Sequence, residues 1–209
     1  MAILLQSVAL LFSVLVTTWA LPSPVELVPR ACTTVNVNAI SKLNKATPNV
    51  SQNDSLFKLH RNGGSNSNTI KSVVSFTGIP QGATGCLLQI DLPKLPTQSI
   101  PTPIASGSSQ SDVWLIKNPP VSDPNDIGFI YKYTWNKPPV KDQFVSTTQF
   151  PTDSPSDPYK TYLWSGTCKS VLSFQFELSD WQQGAGDVNF YNFFGGKYTP
   201  IGFQLVHSC

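Results

Sequence analysis

The chain has 209 residues, with 14 basic and 12 acidic side chains, a formal net charge of +2 and 40% hydrophobic residues. No Lys/Arg run forms a stripe, so a nucleic-acid or anionic-lipid surface is not expected. The only histidines are His60 and His207 and no CxxC pair occurs, so neither a metal centre nor a cofactor site is expected.

Residues 1–20 read as a signal peptide. An apolar run from Val8 to Val16 is followed by Thr18-Trp19-Ala20, which sets small residues at −3 and −1 of a cleavage point. The run is too short to span a bilayer, so no membrane contact is expected after cleavage. Pro22, Pro24 and Pro29 make residues 21–31 a flexible leader, or a short propeptide processed at Arg30. The remaining residues, 32–209, suit a single domain. Two N-glycosylation sequons follow, Asn49-Val50-Ser51 and Asn53-Asp54-Ser55, in a polar stretch. The last residues lack the apolar tail of a GPI signal, so the expected product is released or held non-covalently.

Beyond that stretch, period-two alternation recurs and helical periodicity does not. Asn62-Gly63-Gly64 reads as a tight turn. Residues 86–92 place Cys86, Leu88, Ile90 and Leu92 on one face, and 170–178 place Leu172, Phe174, Phe176 and Leu178 on one face. Ser173, Gln175 and Glu177 then fall on the opposite face, expected to be solvated. Ile201, Phe203, Leu205 and His207 form a third stripe. The runs 73–79, 112–117, 129–135 and 188–194 are rich in β-formers without clean faces. Prolines and glycines separate these runs, so the expected fold is all-β. It is an antiparallel β-sandwich of short strands with long Pro/Gly/Ser-rich loops and two disulfides.

Four cysteines, Cys32, Cys86, Cys168 and Cys209, allow three pairings in an exported chain. Cys32–Cys209 with Cys86–Cys168 is favoured, because Cys32 and Cys209 bracket the domain and domain termini often lie close together. The other two pairings stay open on sequence alone.

The run Val74-Ser75-Phe76-Thr77-Gly78-Ile79-Pro80-Gln81-Gly82-Ala83-Thr84-Gly85-Cys86, continuing to Pro93, carries a resemblance. So does Phe174-Gln175-Phe176-Glu177-Leu178 with the Gly-rich aromatic tail to Cys209. Together they resemble the C-terminal domain of the fungal ubiquitin-3-binding-protein ("But-two") family, over roughly residues 32–209. The resemblance implies a Cys-bearing β domain and a fungal cell-surface context. It implies no catalytic residue, and the ubiquitin-like pathway partner in the family name is not expected to meet a secreted chain.

Catalytic patterns are absent. No Gly-x-Ser-x-Gly occurs, His60 lies in a polar stretch, and His207 ends an apolar face as a structural histidine would. Glu177 is the only glutamate after the leader, whereas a glycosidase needs two carboxylates astride a sugar bond. The aromatics are more informative. Trp164, Trp181, Tyr191, Phe193, Phe194 and Tyr198 crowd the last quarter, flanked by Gly184, Gly186, Gly195 and Gly196. Either these rings fill the core, or Trp181 and Tyr191 stack on sugar rings while Gln182 and Asn189 bond hydroxyls. The expectation is therefore a secreted, cell-wall or cell-surface glycoprotein with a binding or structural role. Its partner would be wall polysaccharide or a surface protein; a carbohydrate-active enzyme is the alternative class.

Overall fold

The computed structural model describes residues 31–63, 68–93, 104–118, 128–153, 158–193 and 201–209. The signal segment and the leader up to Arg30 lie outside the described residues, as do Gly64, Phe194, Gly195, Gly196 and Tyr198. In chain order the strands are β1 (Thr33–Asn36), β2 (Ala39–Asn44), β3 (Gln52–Asp54), β4 (Leu56–Arg61), β5 (Ile70–Phe76), β6 (Cys86–Leu92) and β7 (Ala105–Gly107). They continue with β8 (Gln110–Ile116), β9 (Lys141–Gln149), β10 (Tyr159–Gly166), β11 (Leu172–Leu178), β12 (Gly186–Tyr191) and β13 (Gly202–His207). Among the described residues there is no α-helix; a 3-10 turn spans Ile130–Lys132.

The strands form two antiparallel sheets. The smaller has the order β1-β13-β6-β10; the larger runs β7-β12-β4-β5-β11-β8-β9, with β2 against β5 and β3 against β2. The join between β4 and β5 is thin: one backbone pairing, His60 with Ile70, is supplemented by a serine. Ser72 Oγ accepts from the Lys58 amide at 3.2 Å and donates to the Lys58 carbonyl at 2.7 Å, so a side chain completes the ladder.

The inward stripes read from sequence meet in one core. Leu88 and Ile90 of β6 and Phe203 and Leu205 of β13 pack against Phe57, Phe174, Phe176 and Phe190 of the larger sheet. Phe203 is the cross-sheet keystone, its ring centroid 4.8 Å from Phe57 and 4.6 Å from Phe176. Removing such a buried ring costs about 3–5 kcal/mol. The two disulfides are Cys32–Cys209 and Cys86–Cys168, the favoured pairing. The first extends the β1–β13 ladder at its exposed end, where Thr33 already faces His207. The second anchors the connection after β10 to buried Cys86.

Two expectations need correction. Residues 129–135 form no strand; they make the 3-10 turn and an irregular segment in which Ile130 and Thr134 are buried. This segment is the reason for the second correction. Glu177 does not face solvent: β11 is buried along its whole length, because the segment carrying Trp135, Pro138 and Pro139 lies over the outer face of the larger sheet. Beneath it Ser75 Oγ donates to Ser173 Oγ at 2.8 Å, and Glu177 accepts from Lys71 at 2.5 Å and from Lys141. Burial pushes the Glu177 carboxyl up, but the two ammonium groups outweigh it and hold it below the ordinary carboxylate range. His60 lies on β4, its Nδ1 2.8 Å from Asp187 Oδ2 and its Nε2 3.0 Å from Asn62 Oδ1.

Candidate functional site

β9 and β10 are the edge strands of their respective sheets, and they flank the mouth of the sandwich on the same side. Neither wall is regular. The β10–β6 ladder slips between Tyr162 and Trp164, and the β8–β9 ladder slips twice, at Val113/Trp114 and Leu115/Ile116. A bulge bends its strand and re-aims the side chains around it. Here the slips coincide with a cleft of ≈ 880 Å³ between the two sheets.

The floor of the cleft is apolar and reaches the core at Leu115, Leu163 and Leu172, all buried. Trp164 packs there edge-on to Phe174, with ring centroids 5.2 Å apart. Gly166 makes room for it, since a Cβ at that position would run into the indole. Tyr162, 62% exposed, stands at the rim. Polar groups complete the lining: Asp142 and Gln143 from β9, Ser165 from β10, and Thr167 and Lys169 from the next connection. Thr167 and Lys169 bracket Cys168, so the disulfide to Cys86 fixes that part of the rim. Among the described residues of the lining Asp142 is the only carboxylate, and none is a histidine or cysteine.

The four ligand-binding residues expected from sequence lie elsewhere, and none of them lines this cleft. β12 buries Val188 and Phe190 and turns Asp187, Asn189 and Tyr191 outward, in register with His60, Lys58 and Leu56 of β4. Trp181 and Gln182 sit in the turn before β12. That turn is held by Arg61, which donates to the carbonyls of Leu178 at 3.5 Å, Ser179 at 3.2 Å, Gly184 at 3.4 Å and Gln182. Trp181 is 65% exposed and Tyr191 58% exposed, so neither ring fills the core. They occupy opposite ends of β12, whose five steps from Gly186 span about 16 Å at 3.3 Å per residue. The structure thus joins Asn189 and Tyr191 on one sheet face and leaves Trp181 apart.

Sequence reasoning missed Tyr162, Asp142, Gln143 and Lys169 because it found neither β9 nor β10. The signal was there for β10: Tyr159, Thr161, Tyr162, Leu163 and Trp164 are all strong β-formers, but the bulge breaks the alternation. β9, Lys-Asp-Gln-Phe-Val-Ser-Thr-Thr-Gln, carries almost no periodic signal.

Both sequons precede β4. Asn49 is exposed in the turn between β2 and β3, where Asn136 Nδ2 donates to its Oδ1 at 2.9 Å. Asn53 lies within β3, opposite Ser41, and its Nδ2 donates to Ser51 Oγ at 2.9 Å.

Among the described residues no group of three or more His, Cys, Asp or Glu side chains is placed to hold a metal ion. None of the described helices is long and apolar enough to cross a membrane. The chain matches no protein-family model and no curated protein, so the functional reading rests on the geometry of the cleft.

Proposed function

We propose that the protein is a secreted, glycosylated binding module that holds a neutral polysaccharide chain in the cleft between β9 and β10. The observation that carries this reading is the lining of that cleft. It combines two aromatic rings, Tyr162 and Trp164, with a rim of hydroxyl, amide and charged groups, in a volume suited to a ligand of several hundred Å³. Aromatic faces pack on the C–H faces of pyranose rings, and Gln143, Ser165 and Thr167 supply hydroxyl partners. Among the described lining residues Asp142 is the one carboxylate, which favours binding over glycoside hydrolysis, a reaction that in most families uses a pair.

Two disulfides support export to an oxidising compartment, since such bonds are rare where thiols are kept reduced. Within the secreted reading, Asn49 is the better acceptor for an N-glycan, because it is exposed in a turn whereas Asn53 is committed to a strand. A fungal cell wall is the setting in which this module would meet its polysaccharide.

The test is co-sedimentation of the purified protein with insoluble β-1,3-glucan, chitin and cellulose. Retention on at least one polymer is expected, and Trp164→Ala should weaken it about tenfold or more, as removal of a central aromatic anchor does. No retention on any of the three, or retention unchanged by Trp164→Ala in a folded variant, would overturn the proposal.

A further inference from the structure

A second concave region lies on the outer face of the larger sheet, away from the cleft floor, around Trp135. This residue follows the 3-10 turn and stands between two adjoining cavities of ≈ 170 and ≈ 340 Å³, which share Trp135 and Lys71. Lys45 Nζ is 6.0 Å and Lys71 Nζ 5.3 Å from the Trp135 ring centroid. The smaller cavity adds Lys45 and Arg61, and the larger adds Lys141 and the apolar walls Leu43, Pro138 and Pro139.

Charge does not balance here. Among the described lining residues, Lys45, Arg61, Lys71 and Lys141 face two carboxylates, Glu177 and Asp180. Glu177 is shared between Lys71 and Lys141, while Asp180 projects into solvent 3.9 Å from Arg61 Nη1. Arg61 directs its donors at main-chain carbonyls, so it contributes charge to the cavity rather than a free donor. Each cavity also has a lining residue with a buried oxygen that lacks a hydrogen-bond partner: Thr69 Oγ1 in the smaller and Gln175 Oε1 in the larger. Gln175 is only 2% exposed, and its Nε2 is already given to Glu177 at 3.2 Å. A buried amide oxygen without a donor is costly, and a ligand hydroxyl relieves it.

We propose that this region is a binding site for a small ring-bodied carboxylate, the chemistry shared by uronic acids and aromatic carboxylates. The ring packs against Trp135, Pro138 and Pro139. The carboxylate faces Lys45 and Lys71, which supply the unbalanced positive charge. A ring hydroxyl, where the ligand has one, donates to Gln175 Oε1.

The experiment is an NMR titration of the ¹⁵N-labelled protein with glucuronate, glucose, benzoate and inorganic phosphate, following the Trp135 indole and the Gln175 side-chain amide. Saturable shifts of both signals with glucuronate are expected, with glucose binding at least about tenfold more weakly, since it lacks the charge. Gln175→Met should weaken glucuronate about tenfold and leave benzoate unchanged. Should that variant not fold, Lys45→Ala takes its place and should weaken glucuronate but not glucose. Saturable binding of benzoate alone also supports the site and assigns it to aromatic carboxylates. Equal binding of glucose and glucuronate, a response to phosphate alone, or no saturable shift with any of the four would overturn the proposal.

Discussion

Two aromatic regions of this molecule differ in what lies beneath the rings. At the turn before β12 and along that strand, Trp181 and Tyr191 are exposed towards opposite ends of a paired element, and neither lines the cleft. At the β9–β10 mouth, Tyr162 and Trp164 belong to an edge strand bent by a bulge, and the gap it leaves is floored by the core itself. Exposure alone offers one ring face to solvent. A cleft surrounds a ligand with rings, apolar floor and polar rim together, which is where binding energy concentrates. The comparison teaches that the sheet edge, where pairing stops, makes the site here, and the aromatic count does not.

The sharpest way to break the comparison is to release the rim of the cleft. Replacing Cys86 and Cys168 together with Ser removes the bridge beside Thr167 and Lys169. Loss of a cross-link over a sequence separation of 82 residues should cost about 4 kcal/mol in the chain-entropy model. Denaturant unfolding measures that loss, and polysaccharide retention should fall with it. An unchanged midpoint would show that the bridge does not stabilise the fold.

Arg61→Met acts on the other region. It strips four carbonyls around the Trp181 turn of their charged donor, at a cost of about 3 kcal/mol. Calorimetric unfolding should record the loss, while polysaccharide retention by the folded fraction stays at the wild-type level. Weakened retention would move the site from the cleft to the turn.

Glu177 tests the covered outer face of the larger sheet. Its folded carboxyl is held below the ordinary value, so its contribution to stability is complete above the unfolded-state value and is lost as pH falls through the folded one. Glu177→Gln leaves Lys71 and Lys141 without their shared acceptor and should cost about 2 kcal/mol near neutral pH. The difference from wild type should shrink on acidification. A gap that stays constant down to strongly acidic pH would contradict the assigned ion pairs.

The smallest effects belong to the exposed rings. Trp181→Ala and Tyr191→Ala should each change stability by no more than about 0.5 kcal/mol, with retention unaffected. A clear loss of retention in either would restore the sheet face as the site.

How much of this was legible in the sequence follows from periodicity. β6, β11 and β13 alternate cleanly, and their apolar faces do meet in the core. Alternation tells which face is apolar, however, and is silent about whether the polar face is wet. Ser173, Gln175 and Glu177 read as solvated until the segment bearing Ile130 and Trp135 is laid over them, a contact between distant parts of the chain. That segment in turn looked like a strand because Phe129, Ile130, Tyr131 and Tyr133 are β-formers, yet burial of Ile130 is met by a 3-10 turn. The candidate site was the least legible part. Its walls are bulged edge strands, and a bulge erases the period-two signal at the positions that shape the cleft. Trp164 could be singled out by type, but its neighbours Tyr162, Gln143 and Asp142 could not be grouped with it before the two sheets were placed face to face.

The most direct test of the central claim is to map where a neutral sugar chain lands. The ¹⁵N-labelled protein should be titrated separately with a β-1,3-glucan hexasaccharide and with chitohexaose, following backbone amides and tryptophan indoles. The account predicts saturable shifts concentrated at Gln143, Tyr162, Trp164 and Thr167 with at least one of these two or, where the protein is retained on cellulose alone, with cellohexaose, while Trp181 and Tyr191 stay in place. Shifts centred on Trp181 or Tyr191, or no saturable shift with any of the three sugars, would contradict it.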